Sequence, residues 1–132
     1  MTTPDAAEPR SFYEAIGGHD TIKLIVDTFY AGVAGDEVLR PMYPEEDLGP
    51  ASDRFRMFLE QYWGGPTTYS QERGHPRLRM RHAPFEVTVV ARDHWLKHFR
   101  DGLDAAKLPP EQDAQFWAYA EHAATFMVNS AD

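Results

Sequence analysis

The chain has no cysteine, which removes disulfides, thiolate metal ligands and iron–sulfur clusters from consideration and fits a reducing, cytoplasmic setting. It is also short of positive charge. With 13 Lys and Arg against 21 Asp and Glu, the formal net charge is -8, which argues against neutralising a phosphate backbone and so against a nucleic-acid partner. No apolar run approaches the roughly 20 residues that span a bilayer, and Pro4, Asp5, Glu8 and Pro9 make residues 1–10 neither a signal sequence nor a membrane anchor. Residues 1–10 are expected to form a disordered arm, and residues 11–132 one domain.

What the chain does have is a succession of helix signals. Ser11 and Glu14 make a capping box for a short helix that Gly17 and Gly18 close. Asp20 is read as the cap of a longer helix, whose apolar residues Ile22, Ile25, Val26, Phe29 and Val33 recur at steps of three and four. Tyr30 falls beside Phe29 on its inner edge. Asp36 to Arg40 makes at most one turn, and Tyr43, between Pro41 and Pro44, sits on stiff non-helical backbone. From Pro50 runs a helix with Phe55, Phe58, Leu59, Tyr62 and Trp63 as an aromatic stripe, ended by Gly64, Gly65 and Pro66. Residues 65–74 read as irregular. Pro76 opens a short helix that Pro84 stops, a helix bearing Trp95, Leu96, Phe99 and Leu103 runs to about Ala106, and Glu111 to Asn129 forms the last. Val87, Val89 and Val90 alternate over too few residues to argue a strand. The fold class is all-α, with four substantial helices and two or three short ones.

Six histidines offer candidate ligands. His19 is read as an exposed neighbour of a cap, His122 as a surface group, and His75, before Pro76, as a polar rim group. His94 and His98 share a helix face at i, i+4, a spacing that suits zinc, but no third ligand stands near them in the sequence, and a solvated face is the expected reading. His82 is distinguished by its neighbours. In GHPRLRMRHAPF, Gly74 to Phe85, Arg77, Arg79 and Arg81 alternate with Leu78 and Met80, so that one side can meet something apolar while guanidinium groups meet something anionic. A haem has that character, an apolar disc with two propionates and an iron that needs an axial base. An exposed basic helix with a satisfied histidine accounts for the stretch equally well. The other helices tip the balance, because Tyr30, Tyr43 and Trp95 each bring a donor that needs a partner once buried, and a polar ligand between them would supply one.

Phe29-Tyr30, Tyr43-Pro44, FLEQYWGGP at Phe58 to Pro66, GHPRLRMRHAPF, Trp95 and Met127-Val128-Asn129 together resemble the group II truncated haemoglobins of bacteria and plants. The resemblance runs from about Ser11 to Asn129. It implies a truncated globin, a two-over-two helical sandwich around haem b, with His82 as the proximal iron ligand and Tyr30, Tyr43 and Trp95 on the distal side. Ala51 falls where a typical oxygen carrier has its distal histidine, and Phe55 one turn later adds bulk without a hydrogen-bonding group. Arg79 and Arg81, with Tyr69 and His75, are expected at the propionates, and Arg77 is suited to the same job. Phe29, Phe58, Leu59, Met80, Phe85 and Val128 are expected as apolar walls.

The function expected from this set is high-affinity oxygen binding with slow release, open also to nitric oxide, carbon monoxide or peroxide. Oxygen held there gains negative charge on its outer atom, and each neutral donor contributes about 0.5 to 1.5 kcal/mol net. Two donors would slow release by roughly two orders of magnitude, since each 1.4 kcal/mol is tenfold. Such a pocket stores oxygen better than it delivers it in bulk transport. The alternative is a haem-dependent redox enzyme, a nitric-oxide dioxygenase or peroxidase served by an unidentified reductase; the sequence fixes neither that nor an oligomeric state. A haem-free helical interaction module is the third reading, in which the aromatic residues are only core.

Overall fold

A computed structural model describes residues 11–74 and 86–130, and these are helical with no strand among them. The elements are α1 (Phe12–Ala15), α2 (Gly18–Ala34), a single 3-10 turn (Arg40–Met42), α3 (Gly49–Tyr62), α4 (Thr68–Arg73), α5 (Val89–Ala106) and α6 (Pro110–Met127). None of the described helices is long and apolar enough to cross a membrane.

The local signals explain the boundaries, with two corrections. Ser11 Oγ accepts from the Glu14 amide at 3.2 Å and so caps α1. Asp20 does not cap α2. Gly17 and Gly18 adopt φ of 110° and 67°, which lets the chain turn directly from α1 into α2, so that α2 begins three residues earlier and Asp20 lies in its first turn. The second correction concerns residues 65–74. Thr68–Arg73 is a helix, because Gln61 reaches across from the end of α3, accepting from the Ser70 amide at 2.9 Å and donating to Ser70 Oγ at 2.7 Å. Gly74, at φ 75°, ends that helix. Thr88 caps α5 by accepting from the Ala91 amide at 3.0 Å, and Pro110 opens α6 without needing a donor.

Four helices make two pairs, α2 on α3 and α5 on α6, joined by the crossing of α2 with α5. That is the expected two-over-two arrangement. Ile22, Ile25, Val26, Phe29 and Val33 of α2 have no exposed surface, and they meet Phe99 and Leu103 of α5 and Phe116 and Ala120 of α6 in one core. The crossing is close because Gly102 has no side chain: a methyl there would lie 2.6 Å from the Ile25 carbonyl oxygen. Arg100 joins α5 to α6 through Asp113 and lies over the Trp117 ring at 5.2 Å. The chain end is held too, with Asn129 Oδ1 accepting from the Val87 amide at 2.8 Å and the Asn129 amide donating back to Val87 at 2.9 Å.

Candidate functional site

Between the two helix pairs lies a cavity of about 500 Å³, walled by α2, α3, α4, α5, α6 and the corner that follows the 3-10 turn. The volume falls in the usual range of small-molecule and cofactor sites, about 300–1,000 Å³. Tyr30, Tyr43 and Trp95, from three separate elements, all line it, as do Ala51, Phe55, Phe58 and Tyr69. Each is there for a local reason. Tyr30 follows Phe29 on the buried face of α2. Tyr43 is turned inward where the 3-10 turn gives way to extended backbone at φ -107°, ψ 108°. Trp95 stands nearly two turns into α5, its ring stacked on Phe99 at 5.0 Å and 6°.

The rings form a continuous wall. Phe29 meets Tyr30, Phe55 and Trp95 edge-on at 4.9, 5.4 and 5.2 Å, and Tyr30 meets Tyr43 at 5.7 Å and 80°. Phe29 and Leu59, expected on the cavity wall, are buried behind it instead, at 0% and 1% exposure. Their apolar surface is spent on holding the wall residues in place. Val128 follows α6 and is not on the lining, whereas its neighbour Met127 is. Ala51 lines the cavity at 4% exposure, so its small side chain widens the cavity rather than opening it to solvent. His75, Arg77, Arg79, Met80, Arg81, His82 and Phe85 lie outside the described residues, as does the arm 1–10.

Burial governs both tyrosine hydroxyls. Burial raises the Tyr30 hydroxyl far above its ordinary value, and a hydrogen bond to Tyr43 adds to the shift. Burial raises Tyr43 as well, but there the bond to Tyr30 works in the opposite direction. The two rings meet at 5.7 Å, and both residues line the cavity. Both groups are neutral donors at ordinary pH.

Several lining residues carry no motif in the sequence. Arg54, Arg73 and Arg92 put three cationic side chains on the lining. Arg54 and Arg92 keep 36% and 26% of their side-chain surface exposed, so they bring positive charge to the rim. The signal that would have found Arg54 is its place between Ala51 and Phe55 on one face of α3. Tyr119, Ala123 and Ala124 of α6 complete the wall opposite Trp95's helix face, and burial raises the Tyr119 hydroxyl above its ordinary value.

His19 and His122 are exposed, as expected from the sequence, whereas His98 is buried rather than on a solvated face. His19, read as an exposed capping neighbour, pairs through Nδ1 with the buried Glu60 carboxylate at 2.8 Å, and Arg56 meets the same oxygen at 2.9 Å. His94 and His98 find a third group in Asp36, at 2.9 and 2.6 Å, but as hydrogen-bond partners of its carboxylate. Among the described residues no group of three or more His, Asp or Glu has an arrangement that could hold a metal ion.

Comparison with known proteins gives a consistent picture. The family profile described as bacterial-like globin matches residues 11–129. The chain is 40% identical over 120 residues to the group 2 truncated hemoglobin YjbI of Bacillus subtilis, covering 91% of this chain and 89% of that protein. Among solved structures it resembles a thermostable hemoglobin from Thermobifida fusca, at 56% identity and a TM-score of 0.90, covering 92% of this chain and 99% of the other. It likewise resembles a truncated oxygen-avid haemoglobin from Bacillus subtilis, at 40% identity and a TM-score of 0.85, covering 91% and 100%.

Proposed function

On the premise that this chain belongs to the bacterial-like globins, as a group II truncated haemoglobin, we propose that it holds haem b in the cavity and keeps oxygen bound by hydrogen bonds from its own distal donors. Haem and a small gaseous ligand such as oxygen follow from membership of the family. The cavity suits the group: it is mostly apolar, of adequate volume, and carries three arginines among its lining residues. A porphyrin needs that apolar surface, and its two propionates need charge-assisted donors at the rim. Arg54, Arg73 and Arg92 join His75, Arg79, Arg81 and Tyr69 as candidates for that task, and His82 is the candidate axial ligand.

When bound, haem supplies the iron that takes the gaseous ligand. The chain's residues supply the rest. Tyr30 and Tyr43 offer hydroxyl donors, and Trp95 an indole N–H, to a ligand that gains negative charge. Phe55 brings bulk and no polarity, so it excludes water from the same space. The convergence of Tyr30, Tyr43 and Trp95 on one cavity is the observation that carries this reading. The oxygen-avid behaviour named for the similar Bacillus subtilis haemoglobin lends it support. Two donors at about 0.5 to 1.5 kcal/mol each would slow oxygen release by as much as roughly a hundredfold.

Haem reconstitution tests the reading directly. The purified protein should give a Soret band that is lost or shifted in His82→Ala, and Trp95→Phe should release oxygen faster in stopped flow. Wild-type protein that takes up no haem would overturn it.

A further inference from the structure

Asp36 lies outside the cavity wall, yet its carboxylate joins the two segments that carry distal donors. The side chain is 6% exposed. Oδ1 accepts the backbone amides of Val38 at 2.8 Å and Leu39 at 3.0 Å, which fixes the turn after α2. Oδ2 accepts from His98 Nε2 at 2.6 Å and from His94 Nδ1 at 2.9 Å, both on α5. Burial opposes the charge, but these four donors overcome it and hold the carboxyl well below the ordinary carboxylate range. An ionised carboxylate only accepts, so each imidazole presents an N–H to it. The other His98 nitrogen, Nδ1, is buried without a hydrogen-bond partner, and Asp101 at 4.0 Å is the acidic group nearest to it.

The two ends of this clip lead to the cavity by short, stiff routes. On one side the turn continues through Leu39, 3% exposed, to Met42 and Tyr43. Arg40 braces that corner by donating to the carbonyls of Tyr43, Glu45 and Glu46 at 2.9, 2.8 and 2.9 Å. On the other side His94 and His98 bracket Trp95 within a single turn of α5, and Trp95 is stacked on Phe99. Among the described residues, it is this clip that supplies the side-chain hydrogen bonds between the corner and α5.

We propose that Asp36 is a positioning residue: through His94 and His98 it sets the spacing of the Tyr43 hydroxyl and the Trp95 indole across the cavity, and thereby the rate at which a small ligand leaves. The proposal rests on the distal-donor reading above. It predicts that the haem-loaded Asp36→Asn protein, still helical and with its Soret band intact, releases oxygen about tenfold faster, the equivalent of one hydrogen bond to the ligand. The carbon monoxide stretching band should move to higher frequency in the same variant, reporting weaker polar contact, and Asp36→Glu should recover part of both. In a Trp95→Phe background the effect of Asp36→Asn should shrink to within about twofold, as residues acting through one another do not add.

A folded Asp36→Asn protein with wild-type release and an unmoved band would overturn the proposal. So would an effect of the same size with and without Trp95. Should Asp36→Asn fail to fold, His94→Leu removes only the outer half of the clip, at a side chain 39% exposed; an unmoved band there overturns the proposal equally. Trp95→Phe that releases oxygen as slowly as wild type would sink the donor reading and the clip together, whereas a fast Trp95→Phe beside a silent Asp36→Asn sinks the clip alone.

Discussion

Tyr30 and Tyr43 bring the same chemical group to the cavity from two different elements. Tyr30, 9% exposed, stands on α2, and Tyr43 stands on the corner after the 3-10 turn. Replacing Tyr43 by Phe removes a distal donor and should speed oxygen release by about tenfold. Tyr30→Phe removes the other hydroxyl and should speed release in the same direction. Stopped-flow release from the two variants checks this, and a rate unchanged from wild type in either variant would remove that hydroxyl from the distal donors. The titration behaviour follows from the same environment. Burial raises both hydroxyls, so neither approaches its phenolate form even where a free tyrosine near pH 10 begins to ionise. Release rates should therefore be flat between about pH 7 and 9.5, with no step from tyrosine ionisation.

At the scale of elements, the crossing of α2 and α5 carries both the core and the site. Gly102 permits it, and the group a methyl would strike is the backbone carbonyl of Ile25, which cannot swing aside as a side chain does. Gly102→Ala should therefore cost about 1–3 kcal/mol through forced separation of the helices, a loss of several degrees in melting temperature at roughly 4 °C per kcal/mol for a domain of this size. A melting temperature unchanged from wild type would mean that the helices slide freely at this point. The helices themselves were legible because their faces obey one period: Ile22, Ile25, Val26, Phe29 and Val33 were each read as buried, and each is. α4 was not legible, since its stability comes from Gln61 on a different helix rather than from any pattern within Thr68–Arg73. The same limit applied to the site. Tyr30, Tyr43 and Trp95 stand out by residue type, but Asp36 acquires meaning only from imidazoles 58 and 62 residues further along the chain. Arg54, Arg73 and Arg92 were overshadowed by the run of arginines at Arg77, Arg79 and Arg81, and only the fold brings the first three to the cavity.

For the whole molecule, the buried carboxylate of Asp36 links folding to pH in a direction that can be stated. Its folded-state pKa lies below the ordinary value of 3.8, so the folded form binds its proton less readily than the unfolded chain does. The stability it contributes is fully present above about pH 5, starts to fall as the unfolded carboxyl protonates near 3.8, and is lost as the pH drops through the folded value. Replacing it by Asn removes charge-assisted hydrogen bonds whose worth is about 1.5–3 kcal/mol. Urea unfolding of wild type and Asp36→Asn should therefore differ by that amount at pH 5, and the two stabilities should converge only as the pH falls well below 3.8. Glu60, buried between α2 and α3 beside Arg56 and His19, stays untouched in both proteins and cancels from the comparison. Full convergence already at pH 5 would place the Asp36 carboxyl in an ordinary, solvated environment and would remove the clip as an element of the fold.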